Sequence, residues 1–418
     1  MRIEVPYGAG LTALEIDESR IDGVVSPNVV EIGDEAATLR RAIGNPIDSP
    51  AFDDFLSGAD DVLVVVNDTT RPTPTAAVLE EIAPALAACR SVSFIVATGT
   101  HRDPTPDELG RIFGRFLDVY AGRIEIHDCR DEANLVPVGT TGRGTRVSIN
   151  GRALDASRIV AIGSVEPHYF AGYTGGRKSF LPGLSAFDTV ERNHSHACSP
   201  LAQPRALAGN PVHEDMTEAL VLLKHLSVFA VTAVVDLDRR IYAATAGDLE
   251  KSFLTAVPKA DDIYSVDVAG RSRVVVAVAP PPLDINLYQT QKAIEHAKLA
   301  LDDGGVLVLV AQCAEGFGQE TFVRIMTEAA TFDDALAEVA GPYRFGYHKV
   351  VRLVELMRRA ALWTVTDLDP EVIRGIFMHP CDSLQSAVDE ALAQQGDGAG
   401  VLVLPAASVC VPRLPDAV

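Results

Sequence analysis

The sequence predicts an α/β protein of two domains, each built on a mostly parallel β-sheet flanked by helices. The chain of 418 residues is long enough for two domains of ordinary size. A hydrophobic content of 47% is typical of a compact globular protein. Short runs rich in β-branched residues alternate with helical patterns, and the runs are apolar throughout, as expected of strands covered on both faces.

Several segments carry this strand pattern and end in Gly, Asp, Thr or Pro. They are DVLVVVNDTTRP (61–72), SVSFIVATGTHR (91–102), RIVAIGSVEPH (158–168), VVVAVAPPPLD (274–284), GGVLVLVAQCAEG (304–316) and AGVLVLPAAS (399–408). Ligands of open α/β sheets lie beyond the carboxyl ends of the strands. We therefore expect the functional side chains in the loops that follow these segments.

A domain boundary is expected near 265–272, where the polar, Gly-containing stretch DDIYSVDVAGRSRVV precedes a new strand. The first predicted domain covers 1–268 and the second covers 269–402. The C-terminal tail, 403–418, is expected to return to the first domain. We expect the active site in the cleft between the two domains.

Composition excludes several classes of protein. A net charge of −21 disfavours non-specific binding to nucleic acid or to an anionic membrane. No apolar run approaches the roughly 20 residues of a membrane helix, and the N-terminal stretch MRIEVPYGAGLTALEID lacks the apolar core of a signal peptide. The six cysteines are scattered without a C-x-x-C pair. We expect a cytoplasmic protein that binds neither nucleic acid nor membrane.

The loop NDTTRPTPT follows the first of these strands. Asp68 and Arg71 are three residues apart, and Thr69 and Thr70 between them supply hydroxyls. Arg71 can bind a carboxylate or a phosphate through two hydrogen bonds. The alternative is an Asp helix cap followed by a surface Arg.

Two histidines follow two further strands, His101 in ATGTHRDPT and His168 in GSVEPHYFAG. A single histidine after a strand is more often structural than catalytic. Two histidines on opposite sides of one small substrate, however, suit a reaction that inverts a stereocentre, because each can serve one enantiomer.

The segment AGYTGGRKSFLPG (171–183) resembles a phosphate loop but places Arg177 where a true P-loop has glycine before the lysine. Gly175 and Gly176 would let the backbone approach a mononucleotide, and Arg177 or Ser179 would hold its phosphate.

The segment ERNHSHACSP contains His194 and His196. On a strand this spacing directs the two side chains to opposite faces, so joint chelation is not implied. One of them could be a single metal ligand, since imidazole suits nickel, copper and zinc. The other ligands would then have to come from elsewhere, for instance from a cofactor; the alternative is a capping or exposed histidine.

The segment PLDINLYQTQKAIEHAKLALDD predicts a helix opened by Asp284. Tyr288 and Lys292 lie four residues apart on one face, with Gln289 beside Tyr288. Such a group can hold a carboxylate and a hydroxyl, and the alternative is a solvated helix face.

Taken together, these motifs resemble the lactate racemase family, the nickel-pincer nucleotide enzymes. The matching segments occur in the family's order and spacing: NDTTRPTP, VATGTHR, EPHYFAGYTGGRKSFLPG, RNHS and PLDINLYQTQK. The resemblance covers about residues 60 to 292 strongly and continues more weakly to the C-terminus. It implies that the predicted first domain binds the cofactor and that the second contacts the substrate.

The resemblance implies a pyridinium-3-thioamide-5-thiocarboxylate mononucleotide that binds Ni(II) and is joined through its thioamide to a lysine. Lys178 matches this covalent lysine, and His194 matches the nickel ligand. His101 and His168 match the acid/base histidines. The remaining expected site residues are Asp68 and Arg71 next to the reacting centre, Thr69, Thr70, Gly175, Gly176, Arg177 and Ser179 at the cofactor, and Arg71, Tyr288, Gln289, Lys292 and Phe317 at the substrate.

The implied enzyme is an isomerase, a racemase or epimerase that inverts C2 of a 2-hydroxy acid. Hydride moves to and from the cofactor through a 2-keto acid, and the cofactor-making enzymes would be transient partners. Phe317 stands where the family carries a His, so lactate is not assumed as the substrate. The alternatives are a nicotinamide-dependent 2-hydroxy acid oxidoreductase, whose GxGxxG turn is not apparent, and a non-catalytic homologue that binds the cofactor or a ligand. The oligomeric state stays open.

Overall fold

The chain folds into two compact units in a computed structural model that describes residues 1–415. One unit consists of residues 29–263 and is called here the inserted unit. The other, the terminal unit, consists of residues 1–28 together with residues 264–415.

The secondary structure of the described residues alternates between strands and helices. The strands are β1 (Arg2–Tyr7), β2 (Gly10–Glu15), β3 (Ile21–Val24), β4 (Val62–Asn67), β5 (Val92–Ala97), β6 (Ile124–Ile126), β7 (Leu135–Thr140), β8 (Arg146–Asn150), β9 (Arg158–Ser164), β10 (Pro167–His168), β11 (Gly172–Tyr173), β12 (Val228–Val235), β13 (Ile241–Gly247), β14 (Ser265–Asp267), β15 (Ser272–Val278), β16 (Leu301–Val310), β17 (Ala361–Val365), β18 (His379–Pro380), β19 (Val401–Leu404) and β20 (Val411–Arg413). The helices are α1 (Glu35–Gly44), α2 (Phe52–Leu56), α3 (Thr75–Ala87), α4 (Pro106–Phe113), α5 (Phe116–Val119), α6 (Gly151–Asp155), α7 (Phe187–Ser195), α8 (Pro211–Leu222), α9 (Leu249–Tyr264), α10 (Leu287–Ala297), α11 (Glu320–Glu328), α12 (Phe332–Glu338), α13 (Tyr347–Met357), α14 (Pro370–Gly375) and α15 (Leu384–Gln395).

The inserted unit is organised around a sheet with the strand order β13-β12-β9-β4-β5-β6, which is parallel except for the β12–β13 pair. Its central strand β4 is buried on both faces. Val62, Val64 and Val66 join the core that includes helix α3, while Leu63 and Val65 on the opposite face are equally buried. This burial explains why the strand is apolar without alternation.

The terminal unit contains a fully parallel sheet with the order β18-β17-β16-β15-β19-β3. Val275 and Ala277 of β15 belong to the core that includes residues of α10, α11, α13 and α14. Val274 and Val276 belong to a second core, with residues of α15 and of the β1–β2 hairpin. The predicted fold class, two mostly parallel sheets flanked by helices, is confirmed.

The division of the chain differs from the expected domains 1–268 and 269–402. Residues 1–28 belong to the terminal unit, because β3 pairs with β19 at the edge of its sheet. The tail expected to return to the first domain stays in the terminal unit as well. Strand β19 pairs with β15, and β20 pairs with β14. Residues 416–418 of that predicted tail lie outside the described residues.

Among residues 1–415, no helix combines the length and the apolar character needed to cross a bilayer.

Candidate active site

The loops that follow β4, β5 and β9 meet at one edge of the inserted unit's sheet. These three strands are neighbours and parallel, so their carboxyl ends lie side by side. Asp68 follows β4 directly, and His101 lies four residues beyond β5. His168 lies in β10, just after β9. All three therefore lie beyond carboxyl ends of adjacent strands, where ligands of such sheets bind.

A cleft at this edge encloses about 430 Å³ of empty space, part of it open to solvent. Polar groups from Asn67, Ser164 and Thr174 contribute to its wall. The lining residues that the sequence also predicted are Asp68, Thr70, Arg71, His101, Gly175, Lys178 and Ser179.

Asp68 and His101 form a hydrogen-bonded pair in this cleft. The His101 Nδ1 lies 2.7 Å from one oxygen of the Asp68 carboxylate. The other oxygen accepts hydrogen bonds from the Thr70 hydroxyl, at 2.6 Å, and from its amide, at 3.1 Å. Burial favours the neutral carboxyl, but the hydrogen bonds from His101 and Thr70 and the charge of Arg71 lower the pKa of Asp68 below its ordinary value. An ionised Asp68 keeps the His101 proton on Nδ1, which leaves the Nε2 lone pair as a base.

Thr69, in contrast, contacts helix α4 with its hydroxyl. It hydrogen-bonds with the carboxylate of Glu108, which lies in the first turn of α4. Thr70 rather than Thr69 therefore lines the cleft.

Arg71 lies 3.6 Å from the carboxylate of Glu166, a residue that sequence reasoning missed. Glu166 is buried, and its other carboxylate oxygen accepts a hydrogen bond of 3.2 Å from the Ser164 hydroxyl. Ser164 in turn lies 2.9 Å from the Thr73 hydroxyl, which donates to Asn67. This network ties the end of β9 to the loop after β4 and orients the guanidinium in the cleft. The only sequence signal for Glu166 was its place two residues before His168.

Lys178 lies in a short 3-10 turn, residues 176–179, and its side chain is buried although it lines the cleft. The turn is held against the sheet by Gly175, whose φ is +83°. A Cβ there would lie 2.8 Å from the Ser164 carbonyl oxygen, so only glycine fits. At Gly176 a Cβ would lie 2.6 Å from that of Phe253. Both glycines thus allow the turn to pack closely against its neighbours, and Gly175 also lines the cleft.

Arg177, expected at the cofactor phosphate, lies within the turn. Its guanidinium is buried, donates to the carbonyls of Ala171 at 2.7 Å and Gly175 at 3.2 Å, and lies 4.4 Å from the centre of the Phe253 ring. Burial lowers the pKa of Arg177 to about 9, against the opposing effect of Glu250. The side chain stabilises the turn from within, because its guanidinium is bound to these two carbonyls and does not line the cleft.

The ring of Phe170 brings three predicted site residues together. Its centre lies 4.6 Å from the ring of His168, 5.1 Å from the ring of His194 and 5.9 Å from the Lys178 ammonium. The Ala171 amide donates to His168 Nδ1 at 3.3 Å, which places the proton of the neutral imidazole on Nε2. Sequence reasoning did not single out Phe170, although it lies between the histidine and the glycines of one motif.

His194 lies in the last turn of α7 and is buried. Its neighbour Asn193 donates to Asp215 at 2.8 Å, and the hydroxyls of Thr141 and Thr145 donate to the same carboxylate at 2.6 and 2.8 Å. Asp215 is fully buried, so this network fixes the helix that carries His194. Within the described part of the chain no three or more His, Cys, Asp or Glu side chains group as a metal site, so a metal at His194 needs ligands from a bound group.

The predicted cluster of the terminal unit lies at the start of α10. The helix begins at Leu287 and is capped by Asn286, whose side chain accepts from the Gln289 amide at 3.0 Å, rather than by Asp284 as expected. Tyr288 and Lys292 lie one turn apart. Phe317 lies beside Tyr288, whose amide donates to the Phe317 carbonyl at 3.1 Å.

Comparison with known proteins identifies the family. A model of the lactate racemase N-terminal domain matches residues 7–205, and a model of the C-terminal domain matches residues 266–411. The chain belongs to the lactate racemase family. It is 30% identical to the lactate racemase of Thermoanaerobacterium thermosaccharolyticum, over 96% of this chain and 97% of that protein. It is 28% identical to the lactate racemase of Lactiplantibacillus plantarum, with the same coverage.

Solved structures agree with this assignment of the lactate racemase family. The lactate racemase apoprotein of T. thermosaccharolyticum superposes with a TM-score of 0.91 at 29% identity, over 99% of this chain and all of that one. A protein from Thermotoga maritima, 15% identical with a TM-score of 0.69 over 92% of this chain and 100% of that chain, shares the fold alone. The predictions of the family and of an isomerase like the lactate racemases are confirmed.

Proposed function

We propose that this protein inverts the C2 stereocentre of a 2-hydroxy acid with the help of a covalently bound nickel-pincer nucleotide. The observation that carries the proposal is the cleft lined by His101, Arg71 and Lys178, in which Asp68 orients His101. These residues supply a base, a carboxylate-binding cation and an amine at one edge of the inserted unit's sheet.

The residues present fit the proposed cofactor. Lys178 would form the covalent link, with Thr70, Gly175 and Ser179 along the same wall of the cleft. His194 would supply one imidazole to nickel, a metal that imidazole suits, and the remaining ligands would come from the nucleotide. When bound, the group would accept a hydride from C2 of the substrate and return it, which avoids a carbanion beside a carboxylate.

The protein's own groups would move the hydroxyl proton and hold the substrate. His101, with its Nε2 lone pair, would take the proton from the hydroxyl of one enantiomer, and the Nε2–H of His168 would donate the proton that forms the hydroxyl of the other. Arg71 and Lys292 would bind the carboxylate through charge-assisted hydrogen bonds. Tyr288 and Gln289 would complete the substrate contacts.

The identity of the substrate side chain would depend on Phe317. Its phenyl ring packs against the apolar core of the terminal unit, and its backbone contacts Tyr288. Because an apolar ring there would favour an apolar substituent over a charged one, 2-hydroxy acids with apolar side chains other than that of lactate are included in the proposal. Co-production in the cytoplasm with the cofactor-making enzymes, as transient partners, would load the protein.

The test is to co-produce the chain with the cofactor-making enzymes and to measure intact mass and nickel content. The loaded protein is then mixed with chiral 2-hydroxy acids in deuterated water and followed for inversion. We expect a Lys178 adduct, bound nickel and inversion of at least one acid. Lys178→Ala should lose the adduct, whereas His101→Ala and His168→Ala should keep it and lose turnover.

Other outcomes would decide against the proposal. A wild-type protein with neither adduct nor nickel nor inversion would overturn it. Net formation of a keto acid with free NAD would favour a nicotinamide-dependent oxidoreductase. A stable adduct that inverts none of the acids would favour a protein that only binds the cofactor.

A further inference from the structure

Lys349, near the start of α13, contacts the predicted substrate-binding face of α10. Its ammonium donates to the Tyr288 carbonyl at 2.8 Å and lies 3.9 Å from the centre of the Tyr288 ring. In return, the Gln291 side chain donates to the Lys349 carbonyl at 3.4 Å. Two hydrogen bonds therefore join the N-terminal halves of the two helices.

This lysine is placed where its charge is unfavourable. It is only 3% exposed. Burial, followed by the charge of Lys292, moves the pKa of Lys349 well below its ordinary value, with a smaller contribution from Arg352 in the same direction. The nearby carboxylate of Glu295, which opposes this change, is already bound by Arg352 and by Lys298.

Burying an amine beside other cations, where its charged form is disfavoured, lowers the stability of the fold, and an apolar residue of the same length would avoid that cost. Residues that cost stability at such positions are typical of functional sites, where positioning outweighs stability. The contact with Tyr288 indicates which site Lys349 serves.

We propose that Lys349 is a positioning residue for substrate binding: it fixes the first turn of α10 so that Tyr288 and Lys292 face the substrate together. This inference rests on the proposed function, because Tyr288 and Lys292 are the substrate contacts assigned there. Lys349 acts through these two side chains and does not itself touch the substrate. Its removal therefore weakens substrate binding more than it slows the chemical step.

The experiment compares Lys349→Met with the wild type and with Lys298→Met. Methionine keeps an unbranched side chain of similar length but removes the donor and the charge. Lys298 is the matched control, since it belongs to the same cationic group but bonds Glu295 instead of Tyr288. Each protein is loaded with cofactor, and KM and kcat are measured with D- and L-lactate as probes. Melting temperature and hydrogen–deuterium exchange of the segment 285–293 are measured on the unloaded proteins.

For Lys349→Met we expect KM to rise about tenfold, the scale of one buried hydrogen bond, with kcat within about threefold of the wild type. The melting temperature should be unchanged or higher, and exchange should quicken in 285–293 alone. Lys298→Met should melt at a lower temperature with KM unchanged.

An unchanged KM, or a melting temperature that falls together with kcat, would overturn the inference and leave Lys349 as a structural residue. If the wild type turns over no lactate, the proposed function fails for that substrate, and unchanged exchange in 285–293 would then overturn the inference independently.

Discussion

The His101 Nδ1 and the Asp68 carboxylate lie 2.7 Å apart, and the side chain of His101 is 42% exposed while that of Asp68 is 8% exposed. The buried acid therefore orients an imidazole whose other nitrogen is accessible from the cleft. In serine proteases, too, a buried carboxylate orients the reactive histidine through its Nδ1.

Asp68→Asn tests this orientation. An amide can donate to Nδ1, which would move the imidazole proton to Nε2 and remove the base. We expect kcat of the loaded enzyme to fall by roughly 100-fold or more, by analogy with the buried Asp of the protease triad. Intact mass should show an unchanged Lys178 adduct. A variant with wild-type kcat would show that Asp68 does not set the state of His101.

Glu166→Gln tests the partner of Arg71. The substitution keeps the size of the side chain but removes the charge that holds the guanidinium 3.6 Å away. We expect kcat/KM to fall about tenfold, the scale of one weakened charge-assisted bond. Steady-state kinetics with the best 2-hydroxy acid provide the measurement. A lower KM would instead mean that Glu166 competes with the substrate for Arg71.

Asp215→Ala tests the network beneath His194. It removes the acceptor of Thr141, Thr145 and Asn193 in a fully buried position. We expect the free energy of unfolding to fall by about 3 kcal/mol, measured by denaturant titration. The matched control is Asp60→Ala, which removes an exposed carboxylate paired with Arg90 and should change stability by less than about 0.5 kcal/mol. Equal effects of the two substitutions would contradict the structural role of the network.

Glu108 predicts a specific loss of stability in acid. Hydrogen bonds from Arg102 and from the Thr105 amide lower the pKa of Glu108 to about 2, against the opposing effect of burial. Because the folded-state pKa is lower than the ordinary value, 4.5, the ionised side chain stabilises the fold above about pH 4.5, and this contribution is lost as the pH falls toward 2. Between about pH 5 and pH 3, the melting temperature of the wild type should therefore fall more steeply than that of Glu108→Gln. Parallel curves would show that Glu108 does not contribute.

The sequence indicated much of the cleft because parallel strands align their carboxyl ends. Asp68, Arg71 and His101 follow neighbouring strands, so their positions after apolar runs were enough to predict that they meet. Glu166 was missed because no local pattern distinguishes it from an exposed glutamate, and its contacts with Ser164 and with Arg71 of the β4 loop exist only in the fold. Lys349 was missed because it is distant in sequence from Lys292, and no local pattern reveals a contact between two helices.

The wrong assignment of chain segments to domains has the same physical origin. The apolar run at 399–408 predicts a strand but not its partner, since pairing depends on contacts between distant segments. The tail was therefore assigned to the wrong unit, and the contribution of residues 1–28 to the terminal unit was not foreseen. Similarly, the pattern of a Gly-rich turn does not reveal which side chain points inward, so the contacts of Arg177 within the turn could not be predicted.

The terminal unit combines two segments that are distant in sequence, and this affects the order in which the two units can fold during synthesis. Strand β3 needs β19 as its neighbour, yet the ribosome adds residues 401–404 only after almost the whole chain. At about 5–20 residues per second, the N-terminal segment waits on the order of tens of seconds for that partner. The inserted unit, which carries Lys178 and His194, is synthesised in full within this interval and can fold first. The lysine that would bear the cofactor is thus ready during translation, before the terminal unit can close its sheet.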